Sequence, residues 1–194
     1  MELILIKTYK HLSLYEREWK AILKENENIN PFIEFDYIYN WWKSSNKDIE
    51  IEIHAVKEHN KIIAFFPFQL NKNWFGYKIQ FLSLLDMNHS NVIVKRRDMD
   101  RVIMFVLDMI LKQKKSVIFL LNGLLESEGT PGKISNYLKA RNIKEYSIKL
   151  KDVEKSTYKR KMLFSTNSLR AKTYRNSLWI KEKLLLKGKE NLQI

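Results

Sequence analysis

Residues 49–70 read IEIEIHAVKEHNKIIAFFPFQL. Ile49, Ile51 and Ile53 interleave with Glu50, Glu52 and His54. That is the period of two of a half-buried strand, with the isoleucines on the core face and the polar set in solvent. Glu58-His59-Asn60-Lys61 supplies the polar residues that reverse the chain. Ile62 to Leu70 is then a longer apolar strand. Pro67 within it predicts an edge position or a bulge, because proline has no N–H to give to a ladder. Asn73-Trp74-Phe75-Gly76 turns the chain into a further strand over Tyr77 to Leu85. Two antiparallel hairpins in succession follow from this stretch.

Toward the N-terminus the period changes to that of a helix. Phe35, Ile38, Trp41 and Trp42 share one face of a helix over 34–45, after Pro31-Phe32. Before it, Ser13-Leu14-Tyr15-Glu16 has the spacing of a capping box. It opens an amphipathic helix through Trp19, Ile22 and Leu23. Residues 2–7 alternate as a first strand, and the acidic Glu2 with so short an apolar run does not read as a signal peptide. The tryptophan pair is the ordinary material of a core.

Toward the C-terminus, Asp86-Met87-Asn88-His89 is a polar loop before a short strand, Asn91 to Val94. A helix begins near Asp98, with Val102, Phe105, Val106, Met109 and Ile110 at helical spacing. Val117 to Leu121 is a short apolar strand. Thr130-Pro131 predicts an N-cap followed by proline at the first helical position, with the helix running to Arg141. Ile143 to Leu150 returns as a strand. The fold class is therefore α+β, a mixed, largely antiparallel sheet flanked by helices. Residues 1–152 form its domain. Residues 153–194 read as a basic helical tail, the start of a truncated second domain.

The charge is divided in the same way. The 194 residues carry a net charge of +13. Residues 155–194 hold 11 basic against 2 acidic side chains, so the body is nearly balanced. Such asymmetry marks an arm that can meet nucleic acid or an anionic membrane, or a helix that docks on a partner. The chain has no cysteine, which excludes disulfides and thiolate metal sites. Its four histidines, His11, His54, His59 and His89, lack metal spacing, so no metal is expected. No apolar run approaches the roughly 20 residues needed to span a bilayer, and the location expected is cytoplasmic.

Trp19, Pro31-Phe32, Trp41-Trp42, the run Phe65-Phe66-Pro67-Phe68, the basic turn from Lys72 and the loop at Asp86 occur here in one order. That ordered set resembles the N-terminal half of the tandem GNAT acyltransferases of the CelD/BcsL type, a group linked to cellulose biosynthesis. The basic stretch from Ser165 through Arg170, Arg175 and Lys181 to Gly188 resembles the opening of the family's second half. The resemblance implies a GNAT-like fold and acyl transfer from acetyl-CoA or another acyl-CoA to an amine or sugar-linked acceptor. It also implies a partner, a second GNAT-like half in the same or a separate chain.

The same comparison shows a missing part. The family signature Arg/Gln-x-x-Gly-x-Gly/Ala, a glycine turn at a helix start that cradles a pyrophosphate, does not occur. Gln69 to Gly76 holds one glycine and leads into a strand, so Lys72 and Gly76 are weak candidates for cofactor contact. This chain alone is expected to be inactive and not to hold acyl-CoA. Asp86 and His89 are the candidate catalytic pair, a histidine beside an acid serving as general base. The competing reading of that cluster, with Asn88, Ser90 and Asn91, is a hydrogen-bonded turn. Residues 122–129, with Glu126 and Glu128, form a second loop that could line a cleft. The rival functions are a basic binding module for nucleic acid or anionic membrane, and an inactive gene fragment.

Overall fold

A computed structural model describes residues 1–28, 30–45, 49–74, 76–82, 90–114, 116–151 and 158–165. Strand β1 (Glu2–Ile6) leads through a short helix α1 (Tyr9–Leu12) to α2 (Glu16–Glu25) and α3 (Phe35–Ser44). A meander follows, β2 (Glu50–Glu58), β3 (Lys61–Asn73) and β4 (Gly76–Phe81). Then come β5 (Ile93–Val94), α4 (Met99–Gln113), β6 (Val117–Leu125), α5 (Thr130–Ala140), β7 (Glu145–Lys151) and β8 (Tyr158–Ser165). The sheet order is β1-β2-β3-β4-β6-β8-β7, with β5 on β3. Among the described pairings only β4 and β6 run parallel, over Tyr77–Ile79 against Val117–Phe119. Helix α4 makes the crossover between them, as parallel neighbours require.

Both faces of the sheet are covered. Ile51, Ile53, Ala55 and Phe65 face α1 to α3, where Trp19 is fully buried. Its ring lies 4.7 Å from that of Phe65, and its Nε1 donates to the Ile33 carbonyl at 2.9 Å. On the opposite face Val56, Phe66, Phe68, Ile79 and Phe119 pack with Val102, Val106 and Ile110 of α4 and with Ile134 and Leu138 of α5. Trp42 is buried and Trp41 is packed against the first cluster, so the tryptophan pair is core.

This two-sided cover corrects the reading of β2 as a half-buried strand. Glu52 and His54 are 3% and 1% exposed, because α4 covers the face that the alternation assigned to water. Pro67 is neither at an edge nor at a bulge. It pairs with Ile53 inside the sheet, and its carbonyl accepts from Leu82 N–H. The nitrogen of a strand residue points to the same side as its own oxygen. The missing N–H of Pro67 therefore faces Leu82, past the last β3–β4 pair at Phe68 and Phe81 and before β5 pairs at Phe65, so the bond that proline cannot give falls at the end of the ladder.

The expected helix caps also differ. Ser13 donates its hydroxyl to the Lys10 carbonyl, and it is Thr8 Oγ1 that accepts from His11 N–H at the start of α1. The capping box at Ser13 does not form. Residues 158–165, read as part of a basic helical segment, instead form β8 between β6 and β7. The boundary expected after residue 152 thus falls inside this three-stranded part of the sheet. The remaining basic residues, 166–194, lie outside the described residues, as does the helix expected there.

Candidate functional site at the carboxyl ends of the parallel strands

Because β4 and β6 are parallel, the connections that leave them emerge at the same end of the sheet. Crevices outside the carboxyl ends of parallel strands are where ligands commonly bind in α/β sheets. Here two polar loops, widely separated in the chain, meet there. The first is the run 90–92 after β4. The second is the turn 126–129 after β6.

A bulge prepares the meeting. Between Leu121, opposite Met162, and Leu124, opposite Arg160, Asn122 and Gly123 stand against one residue of β8. Gly123 takes the left-handed conformation at φ 73°, which glycine adopts without strain. The Gly123 carbonyl accepts from Ser90 N–H at 3.2 Å, so the bulge seats the first loop. Beyond β6, Glu126–Glu128 forms one 3-10 turn, and Gly129 at φ 77° reverses the backbone into α5.

Asn91 joins the loops. Its Oδ1 accepts from Val92 N–H at 2.8 Å and from the Thr130 hydroxyl at 2.7 Å. Its Nδ2 donates to Glu128 Oε2. Asn91 is buried and Thr130 is fully so, which explains why Thr130 gives its hydroxyl to Asn91 instead of capping α5. Burial pushes the half-buried Glu128 carboxyl up to about 7, well above the usual carboxylate range. Its Oε1 makes no hydrogen bond among the described residues. Asn122 Oδ1 is buried with no donor among the described residues. This end of the sheet therefore offers acceptors and a carboxyl group that exchanges its proton near neutrality.

The sequence candidates distribute as follows. Ser90 and Asn91 of the first loop and Glu128 of the second are brought together. Asp86 and His89 lie outside the described residues, on the connection between β4 and Ser90. Lys72 and Gly76 lie in the β3–β4 hairpin, at the amino end of β4 and away from these two loops. Gly76 has a backbone reason for being glycine: at φ 143° an added Cβ would stand 2.4 Å from the Ser116 carbonyl oxygen.

One polar cluster escaped the reading of the sequence. Glu52 accepts from Lys7 Nζ at 2.9 Å, lies 3.3 Å from His54 Nε2, and has Lys114 Nζ at 3.7 Å. The hydrogen bond with His54, followed by Lys7, brings its carboxyl down to about 2 against the cost of burial. His54 Nδ1 is buried without a partner among the described residues. The signal for this cluster was the Glu–x–His spacing, hidden because alternation assigned it to solvent. Among the described residues no three His, Asp or Glu side chains are grouped to hold a metal ion. None of the described helices is long and apolar enough to cross a membrane.

The helix starts bear on whether a pyrophosphate could bind. At α4, residues Arg96–Asp98 form a 3-10 turn and the buried Asp98 carboxylate sits at the helix start, held by Arg101 Nη2 at 2.7 Å. Arg101 also donates to Glu58 Oε2 at 2.8 Å. At α5, Glu128 precedes the first turn. The Asp98 carboxylate occupies the positive end of α4 and opposes a phosphate there. The residues at the start of α4 do not fit the phosphate end of CoA.

No family model matches the sequence, and no curated protein matches it. Among solved structures, the chain is similar to the crystal structure of a probable acetyltransferase from Staphylococcus epidermidis ATCC 12228. The identity is 15% and the TM-score 0.47, over 86% of this chain and 100% of that one.

Proposed function

We propose that this chain is a GNAT-like domain serving the acceptor side of an N-acyl transfer, with acyl-CoA held by a second GNAT-like half. The observation that carries the proposal is the Asn91–Glu128 pair at the carboxyl ends of β4 and β6. An amine attacks an acyl group only after losing a proton. A carboxyl group with a pKa near the working pH is suited to taking it. In this reading Glu128 receives the proton of a primary ammonium through Oε1. Asn91 fixes Oε2, and Asn122 Oδ1 offers a further acceptor for the ammonium hydrogens. No step of the acyl donor is assigned to this chain, since the start of α4 does not suit its phosphates.

The finer assignment is to half of a tandem acyltransferase of the cell-surface polysaccharide, cellulose, type, working in the cytoplasm. It rests on the ordered set Trp19, Pro31-Phe32, Trp41-Trp42 and Phe65 to Phe68. Two titrations test the proposal. A primary amine such as glucosamine should shift the backbone NMR signals of Asn91, Glu128 and Thr130 saturably, and Glu128→Gln should abolish the shifts. Acetyl-CoA at about 0.15 M salt, where exposed charges are screened within about 8 Å, should show no one-site binding by calorimetry. Amine shifts elsewhere, or unchanged in the variant, would remove Glu128 from the role. Saturable CoA binding would show that the chain carries its own donor site.

A further inference from the structure

One amide, that of Asn91, holds the side chains on both sides of Gly129. Its Nδ2 donates to Glu128 Oε2, and its Oδ1 accepts from the Thr130 hydroxyl at 2.7 Å and from Val92 N–H at 2.8 Å. Gly129, left-handed at φ 77°, reverses the backbone between the two held residues. The partners decide which end of the amide is oxygen. A backbone N–H only donates, so the end that meets Val92 is the carbonyl oxygen. The other end is then the NH2 group, which only donates, and it meets Glu128. Facing a carbonyl oxygen, the Thr130 hydroxyl gives its proton.

The hydrogen bonds thus run one way, from Thr130 through Asn91 to Glu128. Oε2 accepts from Asn91 whether the carboxyl group is charged or neutral, because a proton on Oε2 would stand against the hydrogens of Nδ2. The exchangeable proton of Glu128 therefore sits on Oε1. Thr130 is fully buried, and the Met99 sulfur, 3.9 Å from its hydroxyl, is a weaker acceptor than the amide oxygen. The charged neighbours are few. Glu126 shares the turn with Glu128, and Lys133 of α5 is paired with Asp100 of α4 at 2.6 Å. On β8, Arg160 and Lys159 stand in register with Leu124 and Leu125. Burial is what raises the Glu128 carboxyl.

We propose that Thr130 is a positioning residue for proton exchange at Glu128: acting through Asn91, it keeps Oε2 occupied so that Oε1 alone exchanges with the acceptor amine. The inference rests on the reading of Glu128 as the group that takes the amine's proton. It adds a residue that touches neither the amine nor the proton. A donor at the amide oxygen polarises the amide and strengthens the hydrogen bond its N–H gives to the carboxylate. That hydrogen bond favours the charged form of Glu128. Thr130 therefore works against burial, and without its hydroxyl Glu128 is harder to ionise. Serine at this position keeps the donor, and valine keeps the branched shape without it.

The test is a carbon-13 NMR titration of the Glu128 carboxyl carbon in the full chain, with the parent beside Thr130→Val and Thr130→Ser. Val92 N–H still serves Asn91 Oδ1 in both variants, so that oxygen keeps one donor. The midpoint should rise by about half a pH unit or more in Thr130→Val, the scale of weakening one hydrogen bond to a charged group. Thr130→Ser should titrate like the parent. In the parent, the side-chain nitrogen signal of Asn91 should move through the same midpoint as the Glu128 carbon. An unchanged midpoint in Thr130→Val, or a Thr130→Ser midpoint displaced as far as that of valine, overturns the proposal and leaves the Glu128 reading standing. So does an Asn91 signal that does not follow the Glu128 titration, a measurement that needs no variant to fold. A parent midpoint near the ordinary 4.5 overturns the Glu128 reading, and this inference with it.

Discussion

Asn91 and Glu128 stand 37 residues apart in the chain and are joined by a hydrogen bond from Nδ2 to Oε2. One amide thereby ties the connection after β4 to the connection after β6. Asn91 also accepts from Thr130, whose hydroxyl has no water to turn to. Asn91→Ala should therefore cost about 2–3 kcal/mol, because it leaves a buried hydroxyl and a buried N–H without acceptors. Urea unfolding measures this. Asn91→Asp should recover part of it at pH 5 and less at pH 8, where a second carboxylate faces Glu128.

The raised Glu128 pKa has a signed consequence. Its folded value of about 7 lies above the ordinary 4.5, so the folded chain holds a proton that the unfolded chain has released. Stability from this group is then greatest below about pH 4.5 and falls as pH rises to about 7. With allowance for its partial exposure, the loss is about 1–2 kcal/mol. Glu128→Gln should flatten that part of the profile and be more stable than the parent at pH 8. Equal slopes for the two proteins between pH 5 and 7 would refute the shift.

Glu52 behaves in the opposite sense. Its folded value of about 2 lies below 4.5, so its contribution is fully present above about pH 4.5 and is lost as pH falls toward 2. Glu52→Gln should destabilise by about 2 kcal/mol at pH 7, leaving Lys7 and Lys114 without their shared carboxylate. The difference from the parent should shrink at pH 2.5. Thermal melts at the two pH values distinguish this from a packing defect, which would persist.

How far these features were legible depends on distance along the chain. The β2–β3–β4 meander and helix α4 were legible because period and turn residues act within a few residues. Strand β8 was not, since Tyr158 to Ser165 is dense in Lys and Arg and shows no clean alternation of apolar and polar residues. Burial of Glu52 and His54 was not, because the strand cannot report that a helix 50 residues later covers it. Both loops of the candidate site were picked out separately. Their joining rests on the parallel pairing of β4 and β6, a non-local fact. Asp86 and His89 fall outside the described residues.

Gly76 and Gly129 separate space from backbone conformation. Both have positive φ, 143° and 77°, but a Cβ at Gly76 meets Ser116 and one at Gly129 meets nothing within 4 Å. Gly129→Ala should cost about 1–2 kcal/mol, the strain of a left-handed alanine. Gly76→Ala should cost about 3 kcal/mol or more, adding a clash with backbone at the start of the parallel pair. Denaturant midpoints of the two variants give the comparison directly.

The account turns on Glu128 being a carboxyl group that exchanges its proton near neutrality and receives one from a bound amine. Its side-chain carboxyl carbon can be followed by carbon-13 NMR through a pH titration, with and without a saturating primary amine, with Glu128→Gln to assign the signal. The account predicts a midpoint of about 7 for the free protein, moving clearly lower when the ammonium binds and favours the carboxylate. A midpoint near 4.5, the same with and without amine, would contradict it.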